Sequence, residues 1–223
     1  MQKIVIAEGV VMLVEEITHN IVPLEEFRKA ISTDKISTPV LPLGTVYYSE
    51  RGNTTIVAII RRAEIREMDQ ANMVSVLATP HRLYTIKLRN GGVSETKQHF
   101  MLDLPSNMET PVYQAPYPNR TDDGKLCQSG LMIAAQQESL VFKIDHLVNQ
   151  VERTRHNTDH ISFAKSGMPS NFKPAGHDGQ YTHMLQAWAA WTKEHEETWE
   201  ADLPTIQWQR SGTFGAIVGG SNE

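Results

Sequence analysis

A change of hydrophobic period near residue 135 constrains this chain more than any other feature. Between residues 40 and 104, β-branched and aromatic residues come in short runs split by glycine-bearing turns. From about Gln136 to Arg153 a single apolar stripe takes over, with Leu140, Ile144, Leu147 and Val151 at spacings of four, three and four. Strands repeat every two residues and helices every 3.6, so the chain writes a sheet first and helices afterwards. Strands followed by helices make an α+β domain: an antiparallel sheet with helices laid against it.

The individual elements follow from local signals. Lys3–Ala7 and Val10–Val14 flank Glu8-Gly9 and predict a strand pair. Pro23 to Ile31 predicts a short helix, with proline at its first position, acids in its first turn, and Leu24, Phe27 and Ile31 on one face. Thr45–Ser49 and Thr55–Ile60 flank the turn Glu50-Arg51-Gly52-Asn53, and His81–Leu88 and Thr96–Leu102 flank Asn90-Gly91-Gly92. Val74–Leu77 is a weaker strand, ended by Thr79-Pro80. Pro105 to Pro118 is an extended connection. Residues 154–180 are polar, carry Gly, Pro and Ser, and predict a long loop. A second helix is expected from Thr182 to Glu200, with Met184, Trp188, Trp191, His195 and Trp199 near one face. The expected organisation is one domain over 1–210, with a strand pair at its start and a helix at its end, and a flexible tail over 211–223.

Composition narrows the function classes. A net charge of −5 argues against a nucleic-acid binder relying on overall positive charge. One cysteine cannot make an internal disulfide, which suits a reducing, cytoplasmic setting. The first residues are too quickly interrupted by Glu8-Gly9 for a signal peptide, and no apolar run approaches the roughly 18 residues of a membrane helix.

That cysteine is the focus of the chemistry. Cys127 closes a loop rich in turn formers, Pro116-Tyr117-Pro118-Asn119-Arg120-Thr121-Asp122-Asp123-Gly124-Lys125-Leu126-Cys127. Asn119 lies eight positions before the thiol and Gly124 three before it. A thiolate nucleophile with an amide N–H to bind a developing oxyanion suits acyl transfer through a thioester. The bland alternative for a single thiol is burial as a small apolar residue, but Asp122, Asp123 and Lys125 keep the loop polar, and Lys125 favours a thiolate.

Tyr117-Pro118-Asn119, Gly124 and Cys127 resemble the active-site segment of ubiquitin-conjugating enzymes. In that family a His-Pro-Asn tripeptide stands at the same distances from the catalytic cysteine, and here Tyr117 replaces the His. More narrowly, the chain resembles the PRTRC system protein B family, a bacterial, plasmid- or phage-associated, ubiquitin-conjugating-like lineage. The resemblance is carried by Thr18-His19-Asn20, Leu41 to Tyr48, Thr110 to Asn119, Gly124, Cys127, Gly130, and Tyr181-Thr182-His183. It implies a ubiquitin-conjugating-like fold, a meander sheet with helices on one face. It also implies partners: a ubiquitin-like protein, a ThiF-type activating enzyme and a JAB-type protease of the same cassette. In its terms Cys127 is the nucleophile, Asn119 supports the oxyanion, and Pro118 and Gly124 shape the loop. Asp122 and Asp123 either orient an attacking amine or are solvated acids. The energy already stored in the thioester means that no metal or organic cofactor is required.

Other readings stay open. His183 is a candidate general base for Cys127, which would make a cysteine hydrolase. A non-catalytic scaffold on the same fold would bind the ubiquitin-like protein without using the thiol. His156 and His160, with His177 and His183, are a weak metal pattern, because Asn157-Thr158-Asp159 between the first pair is poor helix.

Overall fold

The computed structural model describes residues 2–7, 10–15, 41–70, 73–126, 139–153, 161–173 and 180–219. The chain divides into two compact units, Met1–Val40 and Leu41–Glu223. In the first, β1 (Gln2–Ala7) and β2 (Val10–Glu15) pair antiparallel, with Ala7 opposite Val10, as the sequence predicts. The helix expected at 23–31 lies outside the described residues.

The second unit is α+β. β3 (Thr45–Arg51), β4 (Thr54–Arg61), β7 (His81–Arg89), β8 (Gly92–Met101), β9 (Pro111–Gln114) and β10 (Arg210–Thr213) form one six-stranded antiparallel sheet in the order β10-β9-β8-β7-β4-β3. The turn between β7 and β8 places Asn90 at φ 52° and Gly91 at φ 75°. Positive φ at both central positions is what a tight hairpin requires, and Asn-Gly supplies it with least strain. Between β4 and β7 the chain leaves the sheet as a second hairpin, β5 (Glu64–Gln70) and β6 (Met73–Thr79). The weak expectation at Val74–Leu77 is thus a full strand, whose partner β5 the sequence did not announce.

Alternation along the central strands sorts their side chains to two faces. On one face Val57, Ile59, Tyr84, Ile86 and Leu88 pack with Ile144, Leu147, Val148 and Val151 of α1 (Leu140–Arg153). On the other, Ala58, Ile60, Leu83, Met101 and Val112 pack with Phe214 and Val218 of α5 (Phe214–Gly219). Helices therefore cover both faces, not the single face expected, and this is why Val57 to Ile60 are buried without a break. The difference arises at the C-terminus. Where a loose tail was expected from residue 211, β10 pairs with β9, the Phe214 N–H donates to the Thr110 carbonyl at 2.8 Å, and α5 follows.

A third apolar cluster centres on Trp188 of α3 (Tyr181–Glu194), which is fully buried with Phe100, Tyr117, Phe172 and Leu77. The Trp188 indole N–H donates to the Ala78 carbonyl at 3.1 Å, and the Ala78 N–H donates to Thr192 Oγ1 at 2.9 Å, so α3 holds the β5–β6 hairpin. The helix expected from Thr182 to Glu200 stops at Glu194, and α4 (Trp199–Asp202) resumes after a turn. Within the expected loop 154–180, the described residues 161–173 are mostly helix rather than loop. They contain α2 (Ile161–Gly167) and a short turn of helix at Ser170–Phe172, held by Phe172 stacking on Trp188 at 5.7 Å. The stretch Pro105–Pro118, expected to be extended, contributes β9. No described helix is long and apolar enough to cross a membrane.

Candidate functional site

The proline-bearing segment after β9 is fixed from below. Tyr117 is buried, edge-on to Phe100 at 5.3 Å and stacked with Trp188 at 6.2 Å, and burial pushes its hydroxyl pKa up. The Tyr181 hydroxyl donates to the Pro116 carbonyl at 2.7 Å. Tyr117 is thus an aromatic anchor for the start of the loop. Two residues on from Pro116, the Pro118 carbonyl accepts from Arg120 Nη1 at 2.9 Å.

Asn119 then takes φ 63°, a left-handed conformation that asparagine tolerates better than most residues. Its Oδ1 is buried and has no hydrogen-bond partner among the described residues. After it the loop closes on itself, with the Gly124 N–H donating to the Thr121 carbonyl and the Thr121 N–H to the Lys125 carbonyl, both at 2.9 Å. It also docks along β8. The Gln98 N–H donates to the Gly124 carbonyl at 2.9 Å and the Leu126 N–H to the Thr96 carbonyl at 2.8 Å. Gly124 has φ 79°, and a β-carbon there would lie 2.6 Å from the His99 ring, so only glycine fits.

Asp122 and Asp123 are exposed at the loop tip. Burial alone would raise the Asp123 carboxyl, but hydrogen bonds from Thr121 and Lys97 outweigh it and hold the pKa at about 2. Lys97 Nζ lies 2.9 Å from Asp123 Oδ2. Lys125 sits 3.9 Å from Glu95. Asp123 and Lys125 are therefore part of a surface charge ladder that ties the loop to β8, while Asp122 accepts from the Asp123 N–H within the loop.

The expected nucleophile, Cys127, lies one position beyond Leu126 and outside the described residues, as do His156, His160 and His177. His183, the candidate base, is in the first turn of α3, two residues after Tyr181, with its N–H donating to the Gln180 carbonyl at 3.0 Å. Among the described residues no group of three His, Cys, Asp or Glu side chains could hold a metal ion.

Sequence reasoning missed the residues beneath the loop. His99 is fully buried, and among the described residues neither ring nitrogen has a hydrogen-bond partner of good geometry. Burial and the nearby Lys97 cation pull its pKa down to about 4, against a partial opposing pull from Asp123, so the ring is neutral at pH 7. Arg120 is buried as well, with its guanidinium 4.8 Å over the Tyr117 ring and, among the described residues, no carboxylate paired with it. Burial lowers its pKa to about 10, which leaves it charged. Gln98 and Tyr84 complete the floor. No sequence signal marked His99, Gln98 or Tyr84, because each sits within a strand run that reads as core. Arg120 stood in plain view inside the loop.

Compared with models of known protein families, with curated proteins and with solved structures, the chain matches none.

Proposed function

We propose that this chain is a ubiquitin-conjugating-like carrier, with the corresponding fold, that holds a ubiquitin-like protein as a thioester on Cys127 and passes it to an amine. The observation that carries the reading is the loop over Tyr117–Leu126. It combines a left-handed Asn119, a glycine-only turn at Gly124 and backbone pairing to β8 that runs up to the residue before the thiol. Nucleophilic catalysis requires an ordered approach to the nucleophile, and a loop held in this way as far as Leu126 supports that reading.

In the first step the Cys127 thiolate attacks the thioester carbonyl held on a ThiF-type activating enzyme, and that enzyme's thiolate leaves. In the second, a target amine attacks the new thioester. The Cys127 thiolate leaves, the amine gives up its proton to solvent or a base, and an amide remains. Asn119 is the side chain offered to the oxyanion in both steps, through its amide N–H.

The test is charging on a non-reducing gel with activating enzyme, ATP and ubiquitin-like protein. The carrier gives a thiol-sensitive adduct that Cys127→Ala abolishes and that Cys127→Ser converts into a thiol-resistant ester. Binding that survives in Cys127→Ala, with no adduct in the wild type while the activating enzyme itself charges, would replace the carrier by a scaffold.

A further inference from the structure

A line of hydrogen bonds runs beneath the loop, and each of its donors points the same way. Arg120 Nη2 donates to Gln98 Oε1. Gln98 Nε2 donates to the Tyr84 hydroxyl oxygen at 2.6 Å. The Tyr84 hydroxyl donates to Glu152 Oε1, in the last turn of α1. The amide of Gln98 has one orientation only, because its oxygen must meet a cation and its nitrogen a phenol oxygen. A chain with all donors aligned from cation to carboxylate polarises along its length, so each bond strengthens the next.

The charge balance makes the line necessary. Glu152 also pairs with Arg66 and with Arg82, whose Nε lies 2.9 Å from Oε1, and Arg82 reaches Glu64 at 2.7 Å. Three guanidinium groups thus share two carboxylates, and Arg120 is the one that touches neither. Among the described residues its hydrogen-bonded link to a counter-charge passes through Gln98 and Tyr84. At its other end Arg120 grips the Pro118 carbonyl, and its backbone pairs with Leu126 across the loop.

We infer that Arg120 is a positioning residue, coupled through Gln98 and Tyr84 to Glu152, so that the end of α1 sets the order of the loop that enters Cys127. The loop claim stands on these contacts alone; only its consequence for transfer rests on the carrier reading.

Tyr84→Phe tests it with little risk to folding, because it removes one hydroxyl and keeps the packed ring. Hydrogen exchange in the full chain is read at the Gly124, Leu126 and Gln98 amides, which hold the loop to itself and to β8. The expected result is exchange about tenfold faster at these three, the effect of weakening a buried hydrogen bond, with β4 and β7 amides unchanged. A role in general stability would raise exchange at β4 and β7 equally, and that outcome, or no change at the loop, overturns the proposal. A second readout is a cycle with Arg120→Lys. Coupling predicts that adding Tyr84→Phe to Arg120→Lys opens the loop no further, with Gln98 standing between the two in the line of hydrogen bonds; additive effects would refute it. In charging assays Tyr84→Phe should slow the maximal rate and leave half-saturation by the activating enzyme unchanged. If the wild type does not charge, the carrier reading fails, while the exchange result still decides the coupling.

Discussion

At the scale of single residues, the loop contains two sites where substitution has a defined cost. Gly124→Ala meets two penalties together, a left-handed backbone and a β-carbon 2.6 Å from the His99 ring. The ring is buried and cannot retreat, so a loss of about 2 kcal/mol is expected in urea unfolding. A change below about 0.5 kcal/mol would mean that the loop rides above β8 without contact. His99 gives a pH signature. Its folded pKa, about 4, lies below the unfolded value near 6.5, so the unfolded state binds the extra proton between those values. Stability is then full above pH 6.5 and falls as acid is added, by about 3 kcal/mol at pH 4. In His99→Leu this part of the slope should vanish, and a slope unchanged in that variant would assign the acid sensitivity to other groups. Neither contact is written in the sequence. The loop itself was legible, because Pro, Asn, Asp and Gly announce turns by their own backbone chemistry. His99 and Gln98 were not, because a polar residue in a strand run says nothing about what will cover it.

At the scale of elements, local chemistry and tertiary packing divide the result between them. The β7–β8 hairpin was readable because Asn90-Gly91 specifies its turn, and α1 because four apolar residues share one face. β5 was hidden for the opposite reason. Its sequence, Glu-Ile-Arg-Glu-Met-Asp-Gln, has no strand propensity to speak of, and it is ordered by pairing with β6, which α3 holds in place. The C-terminal segment was missed in the same way. The glycine-rich end over 211–223 reads as a tail, yet Phe214 and Val218 fill the second face of the sheet. A test follows from that burial. Phe214 is 4% exposed, so Phe214→Ala should cost about 3 kcal/mol, as ring deletions from packed cores do. A cost of a few tenths, read by chemical denaturation, would restore the tail.

At the scale of the whole molecule, the question is how many cooperative parts the chain contains. Among the described residues all three apolar clusters lie in Leu41–Glu223. They are not independent of one another. Val57 and Ile59 face α1 while Ala58 and Ile60, from the same four residues of β4, face α5. A strand that supplies both faces cannot lose one helix without loosening the other, since each face fixes the backbone that the other uses. The third cluster joins through β8, where Phe100 packs on Trp188 and its neighbour Met101 packs on the α5 side. The unit should therefore fold as one body without the first forty residues. A chain beginning at Leu41 is expected to unfold in a single transition, with fluorescence of its tryptophans and far-ultraviolet circular dichroism giving the same midpoint. Two separated midpoints would show that the sheet faces are uncoupled, against the alternation on β4. Failure to fold at all would show that Met1–Val40 supplies part of the core.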